Sequence, residues 1–280
     1  MRKTKKTRGR LSAELANALS RLASGGKAVF SVSDFAEAIG RPRNRVWRAL
    51  TFLVDRGWVA RLRKGKYFVV PLEAGPESTW AEDALVVASH LTDRAAAAYW
   101  TACHYWNWTE QVPRTVFVQT PRRVRPQEQT ILGVQYRIVC LSQPKFFGTV
   151  KRTAGRGFFT VTDREKTLVD ALDRPELCGG IRQVAEMLPV AAEAVRWDKV
   201  DEYLKRMGSG AIYKRLGLLI ESRGKKVPVP ELKRRLEAWH GRLTGGYASL
   251  EPGGPKMGPV NNRWLVRLNV RGVVPEGAAG

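Results

Sequence analysis

Cysteine is scarce in this chain of 280 residues: Cys103, Cys140 and Cys178 are too few and too scattered for a disulfide framework, and none pair as Cys-x-x-Cys. Histidine is equally sparse. His90, His104 and His240 lie far apart with neither HxxxH nor HExxH spacing, and the neighbours Cys103 and His104 alone are too little for a metal site. No GxxxxGK[ST] or GxGxxG loop is present to cradle a phosphate, and no GxSxG elbow presents a nucleophilic serine. No apolar stretch nears the ~18 residues of a membrane span. The basic start is not followed by the roughly 7–15-residue apolar segment of a secretory signal. The expectation is a soluble, cytoplasmic protein without cofactor, metal or membrane association, and not an enzyme.

Acid is the remaining shortage. There are 26 Asp+Glu against 48 Lys+Arg, a formal net charge of +22. Hydrophobic residues at 44% and charged residues at 26% are close to globular averages, so the excess belongs to a folded protein with a polyanionic partner, most simply nucleic acid. Residues 1–75 hold 17 Lys+Arg and 5 Asp+Glu, a net +12, while 76–280 hold 31 and 21, a net +10 over nearly three times the length. Residues 1–10 carry Arg2, Lys3, Lys5, Lys6, Arg8 and Arg10 with no acid and cannot bury a core. They read as a flexible arm, either a solubilising tail or one that tracks phosphates or enters a minor groove. The Pro/Gly-containing segment 71–76 reads as a linker. The domains expected are an arm (1–10), a DNA-binding domain (11–72), a larger domain (77–272) and a frayed tail (273–280).

Leu11, Leu15, Leu19 and Leu22 recur at i, i+4, i+8 and i+11, which predicts an amphipathic helix over 11–23, ended by Gly25 and Gly26. A short strand over 29–32 follows. Ser33 is then the expected N-cap of a helix over 34–39 with Asp34 in its first turn, and Gly40 stops it. Pro42 suits the first turn of a further helix over 42–55. At 100° per residue, Val46, Leu50 and Leu53 share one face with Ala49 beside them; Arg41, Asn44, Arg48 and Thr51 fall opposite, flanked by Arg45. Helix, glycine turn and helix form a helix-turn-helix layout whose second helix presents side chains able to read guanine and adenine edges. The recognition set is Arg41, Arg43, Asn44, Arg45, Arg48 and Thr51. Residues 58–63 alternate with the strand period of two, 63–66 turn, and 67–70 return, a hairpin that reads as the wing of a winged helix. Arg61, Arg63, Lys64 and Lys66 would be its phosphate contacts. With arm, helix face and wing all basic, DNA binding outweighs a merely solvated surface.

In the remainder, the alanine-rich 81–99 predicts two helices with Thr92 and Asp93 between them. Tyr99, Trp100, Tyr105, Trp106 and Trp108 form an aromatic cluster, expected in the core, with a base-stacking platform the sharper alternative. Strands are expected over 113–119, 134–139, 158–161 and 262–270. Arg122, Arg123 and Arg125 make a second basic patch, either a solvated loop or a phosphate contact. Thr162 and Glu165 have capping-box spacing for a helix through Leu172. Further helices are predicted over 181–188, 191–207, 212–223 and 231–241, with Pro189 among the breakers. The fold class expected is therefore α+β: an N-terminal winged helix-turn-helix domain followed by a larger mixed α/β domain with a helix-rich C-terminal part. Asp163, Glu165 and Asp170, with Lys166 among them, read as capping and solvated acids; the rival is a metal-dependent nuclease centre.

These stretches together resemble a known family. The basic winged helix, residues 98–104 (Ala-Tyr-Trp-Thr-Ala-Cys-His) with 111–113 (Gln-Val-Pro) leading into a strand, and 161–172 followed by Pro175, Gly179 and Gly180 look like the AbiEi antitoxins of abortive-infection toxin–antitoxin pairs. The resemblance spans roughly residues 12–240 and implies a winged helix that binds inverted repeats in its own promoter as two copies. It also implies a C-terminal domain that counters a nucleotidyltransferase toxin without a stable complex, the type IV arrangement. Carried onto this sequence, reading DNA falls to Arg41, Asn44, Arg45 and Arg48, and the wing is Arg61, Arg63, Lys64 and Lys66. A ligand-responsive repressor with an aromatic effector pocket is the other alternative.

Overall fold

The computed structural model describes residues 10–75, 80–81, 83–154 and 157–275. Arg2, Lys3, Lys5, Lys6 and Arg8 of the arm and the tail from 276 lie outside the described residues. The architecture is α+β. By contacts the described residues form two units, one from 10–97, 114–141 and 150–161, the other from 98–113, 142–149 and 162–275.

The first unit opens with α1 (Ala13–Ser24), β1 (Val29–Ser31), α2 (Val32–Ile39), α3 (Trp47–Asp55), β2 (Val59–Arg63) and β3 (Lys66–Val69). The strands form an antiparallel sheet in the order β1-β3-β2. This is the winged-helix arrangement that the charge pattern and turn residues predict. Two details differ. The cap of α2 is Ser31, not Ser33: Ser31 Oγ accepts from the Asp34 N–H while the Asp34 carboxylate accepts from the Ser31 N–H. Only a serine three residues before an acid can close that reciprocal box. The helix expected over 42–55 begins instead as a 3-10 turn, Arg43–Arg45, and becomes α-helical at Trp47. Neither Pro42 nor Val46 supplies a side-chain cap, so the entry tightens to a bond from the Arg45 N–H to the Pro42 carbonyl, 2.9 Å.

The small sheet is apolar on both faces. Val59, Tyr67 and Val69 pack with Leu19, Leu22, Phe35, Leu50 and Leu53 of the helices, whereas Leu62 and Phe68 belong to a second core. That second core is completed by Val87 of α4 (Ala84–His90), by Leu91 just after it, and by Val118, Tyr136 and Ile138 of a larger sheet. The larger sheet comprises β4 (Ala96–Ala97), β5 (Thr115–Thr120), β6 (Glu128–Ile131), β7 (Val134–Cys140), β8 (Thr149–Ala154) and β9 (Gly157–Thr162), in the order β6-β7-β5-β4-β9-β8. The second helix expected in 81–99 is thus a strand. Residues 95–98 are buried alanines, and pairing of Ala97 with Val118 on one side and Val161 on the other overrides alanine's helix propensity. Strands β6 and β8 escaped the sequence reading because both are polar and stand at the sheet's edges.

The second unit contains α5 (Tyr99–Tyr105), α6 (Arg164–Asp173), α7 (Ile181–Ala194), α8 (Trp197–Met207), α9 (Gly210–Arg223) and α10 (Leu232–His240), with short strands β10 (Ala248–Ser249), β11 (Val260–Asn261) and β12 (Val266–Arg267). Helix α6 is buried at every residue from 165 to 172. Its cap is Asp163, whose Oδ1 accepts from the Lys166 N–H; Thr162 instead bonds Thr167 side chain to side chain. Pro189 sits inside α7 rather than ending it, because the buried stripe of Val184, Leu188, Ala191 and Ala192 continues across it. The strand predicted over 262–270 shrinks to two residues, followed by irregular chain. Gly217 of α9 is needed for contact: a Cβ there would lie 2.1 Å from the Trp264 ring.

Candidate nucleic-acid interface

Gly40 ends α2 in the left-handed region, φ +69°, and sends the chain directly into the basic turn. Val46, Leu50 and Leu53 then anchor the second helix inward, so Arg43, Asn44, Arg45, Arg48 and Thr51 are all left exposed. The side chains of Arg43, Arg45 and Arg48 form no ion pair with a described residue. Arg41 differs from them: its Nη2 meets Glu14 Oε2 of α1 at 2.8 Å. The Thr51 hydroxyl donates back to the Trp47 carbonyl. Sequence reasoning missed Trp47, which is 46% exposed at the first position of α3. The available signal was a large aromatic lying off the apolar face beside Arg48, suited to apolar contact with a thymine methyl.

The wing is the β2–β3 hairpin, turned at Gly65 with φ +74°. Arg61 and Lys64 are exposed and Lys66 is half-buried. A bulge falls between Arg61 and Arg63. Arg63 is engaged within its own unit: Nε donates to the His90 carbonyl at 3.1 Å and Nη2 pairs with Asp93 at 2.5 Å. Burial, reinforced by Lys66 and Arg63, pulls the His90 pKa down to about 4. The imidazole is therefore neutral at pH 7, and Arg63 works as a strut between wing and α4. At the start of α2, burial favours protonated Asp34, but bonds from Ser31 and Lys27 outweigh it and hold its pKa at about 2. Arg10 is exposed, as are Arg122, Arg123 and Arg125 on the segment from β5 to β6.

The acids of the nuclease alternative are engaged elsewhere. Asp163 caps α6 through Oδ1 and accepts from Lys199 and Tyr203 through Oδ2; Glu165 accepts from the Arg196 N–H and Lys199. Lys166 is fully buried against Asp170. Among the described residues no group of three or more His, Cys, Asp or Glu is placed to hold a metal ion. In the aromatic cluster Tyr99, Trp100 and Trp108 are buried, while half-buried Trp106 donates to the Thr162 carbonyl. Tyr99, Trp100 and Trp108 are thus core, while Tyr105 and Trp106 are only partly covered. No helix among the described residues is long and apolar enough to cross a membrane.

Topology and exposed basic face define a winged-helix domain of the DNA-binding class. Residues 17–70 match the family model of the AbiEi antitoxin transcriptional regulators, the family that the sequence resembles. The match covers most of α1 and the whole helix-turn-helix and wing. Among solved structures, the RV2827C protein of Mycobacterium tuberculosis shares the fold with a TM-score of 0.63 at 14% identity, over 93% of each chain. No curated protein matches the chain.

Proposed function

We propose that this chain is the antitoxin of a type IV toxin–antitoxin system and represses its own operon. Its winged helix reads inverted repeats in the promoter, and its second part counters a nucleotidyltransferase toxin that is a functional partner and not a bound one. The observation that carries the reading is the row Arg43, Asn44, Arg45 and Arg48, exposed at the entry to α3 within a domain that matches a transcriptional-regulator family. Base contacts from this row would choose the site while wing and arm neutralise phosphates. Inverted repeats call for two copies on DNA, as a dimer or by cooperative loading.

The test is a reporter driven by the DNA upstream of the gene. Repression by the wild-type chain, relieved by Arg43→Ala with Arg48→Ala and lost when the repeats are scrambled, is the expected result. A reporter indifferent to the protein would overturn autoregulation. Rescue of cells from a neighbouring nucleotidyltransferase, without co-purification of the two proteins, is the expected outcome for the antitoxin half.

A further inference from the structure

We propose that the phosphate-holding surface continues beyond the wing onto two loops of the six-stranded sheet, where Arg94, Arg122 and Arg123 grip the duplex backbone past the segment lying under the winged helix. This rests on the DNA-binding reading above and extends its footprint.

Sheet register brings the parts together. Strands β4 and β5 are antiparallel with Ala96 opposite Gln119, so the loop entering β4 and the loop leaving β5 lie at one end of the sheet. There the hydroxyls of Thr92 and Thr120, both buried, share a hydrogen bond of 3.0 Å that staples the loops. Each also accepts from the N–H two residues on, Arg94 and Arg122 respectively, at 3.3 Å. A buried polar pair thus fixes the backbone of two exposed arginines, a degree of order that a merely solvated loop does not require.

The wing reaches the same place, since Asp93 of the first loop takes the Arg63 guanidinium at 2.5 Å, next to the hairpin turn. On this reading Lys64 and Lys66 of the hairpin and the exposed Arg94, Arg122 and Arg123 of the loops tied to it would supply the contacts. Within the described residues of these segments, Asp93 pairs with Arg63 and Glu128 with Arg137. Arginine suits the bidentate geometry of phosphate. Residues 92–94 and 121–127 contain no aromatic side chain on which a base could stack, which favours duplex backbone over single strands.

The experiment is fluorescence anisotropy with the full chain on random-sequence duplexes of about one and about three helical turns (~10 base pairs each) over a range of salt. The Arg122→Ala/Arg123→Ala variant should match wild type on the short duplex. On the long one its salt slope should fall by about 2, so that a fourfold rise in salt costs wild type about tenfold more affinity than the variant. The Arg122→Lys/Arg123→Lys variant should restore most of that slope, and Arg122→Gln/Arg123→Gln replaces the alanine pair if that variant does not fold. An unchanged slope on the long duplex, with Arg48→Ala still weakening binding, would overturn the extension and leave the DNA-binding reading standing. Equal loss on both duplexes would place the loops under the winged helix and also overturn it. A wild-type chain that binds neither duplex would overturn both.

Discussion

In the first unit Arg43, Arg45 and Arg48 stand in solvent without an ion pair to any described residue, while in the second Lys166, Lys214, Arg215 and Arg235 are no more than 4% exposed. The buried cations are held by what surrounds them. Lys166 meets Asp170, Lys214 the Gly246 carbonyl at 2.6 Å, Arg215 the carbonyls of Leu172 and Ser249, and Arg235 the carboxylates of Asp198 and Asp201. Burial draws the pKa values of Lys214 and Arg215 downward. The same residue types thus serve packing in one unit and present a surface in the other, and the supply of local acceptors separates the two uses. Total charge points to a polyanion; only the unpaired charge shows where it would sit.

The contrast makes its strongest prediction in the second unit. Asp170→Asn leaves the Lys166 ammonium buried without its partner and should cost about 3–5 kcal/mol in denaturant unfolding. Duplex affinity of the folded fraction should be untouched. A loss below about 1 kcal/mol would mean that the pair contributes no more than an exposed one. Arg48→Ala is the converse: melting unchanged, specific affinity down by about 1–3 kcal/mol and base choice relaxed at one position. Uniform weakening on every sequence would make Arg48 a phosphate contact instead.

Between these lies His90, half-buried and close to the wing. Its native pKa of about 4 lies below the ordinary 6.5, so the unfolded chain binds the extra proton. Stability is therefore full above about pH 6.5 and falls as pH drops toward 4. From pH 7 to pH 5 the cost should be about 1–2 kcal/mol, the exposed part of the ring being screened by solvent. His90→Gln should flatten the melting temperature against pH over that range, and an unaltered profile would assign the titration elsewhere. The smallest effect belongs to the α2 cap, where Ser31→Ala should destabilise the first unit by about 1 kcal/mol. Asp34 has a depressed pKa, so its contribution is present above about pH 4 and lost toward pH 2; in the Ser31→Ala protein this acid transition should shift upward.

Much of the winged helix was legible because its signals are local: leucines at helical spacing, Gly40 after α2, and a hairpin turned at Gly65. The errors there were equally local, since Ser31 and Ser33 both suit a cap and only the partnership with Asp34 separates them. The rest of the chain was harder. Four consecutive buried alanines carry the same pattern in a helix or a strand, and only pairing with Val118 and Val161 decides for β4. Edge strands β6 and β8 lack an apolar face, and Pro189 persists within α7 through packing remote in sequence. Of the basic face, Arg43, Asn44, Arg45, Arg48 and Lys64 were found as exposed groups. The ties of Arg41 to Glu14 and of Arg63 to Asp93 join residues 27 and 30 positions apart, a distance that no periodicity encodes.

The decisive measurement is an anisotropy titration of the full chain on the DNA upstream of its gene and on a scrambled duplex of equal length, repeated across salt. A site read by the entry to α3 predicts a preference for the upstream fragment that persists at about 150–200 mM salt, with both affinities falling steeply as salt rises. Equal affinity for the two duplexes at every salt concentration would contradict it, leaving a basic protein that coats DNA without reading it.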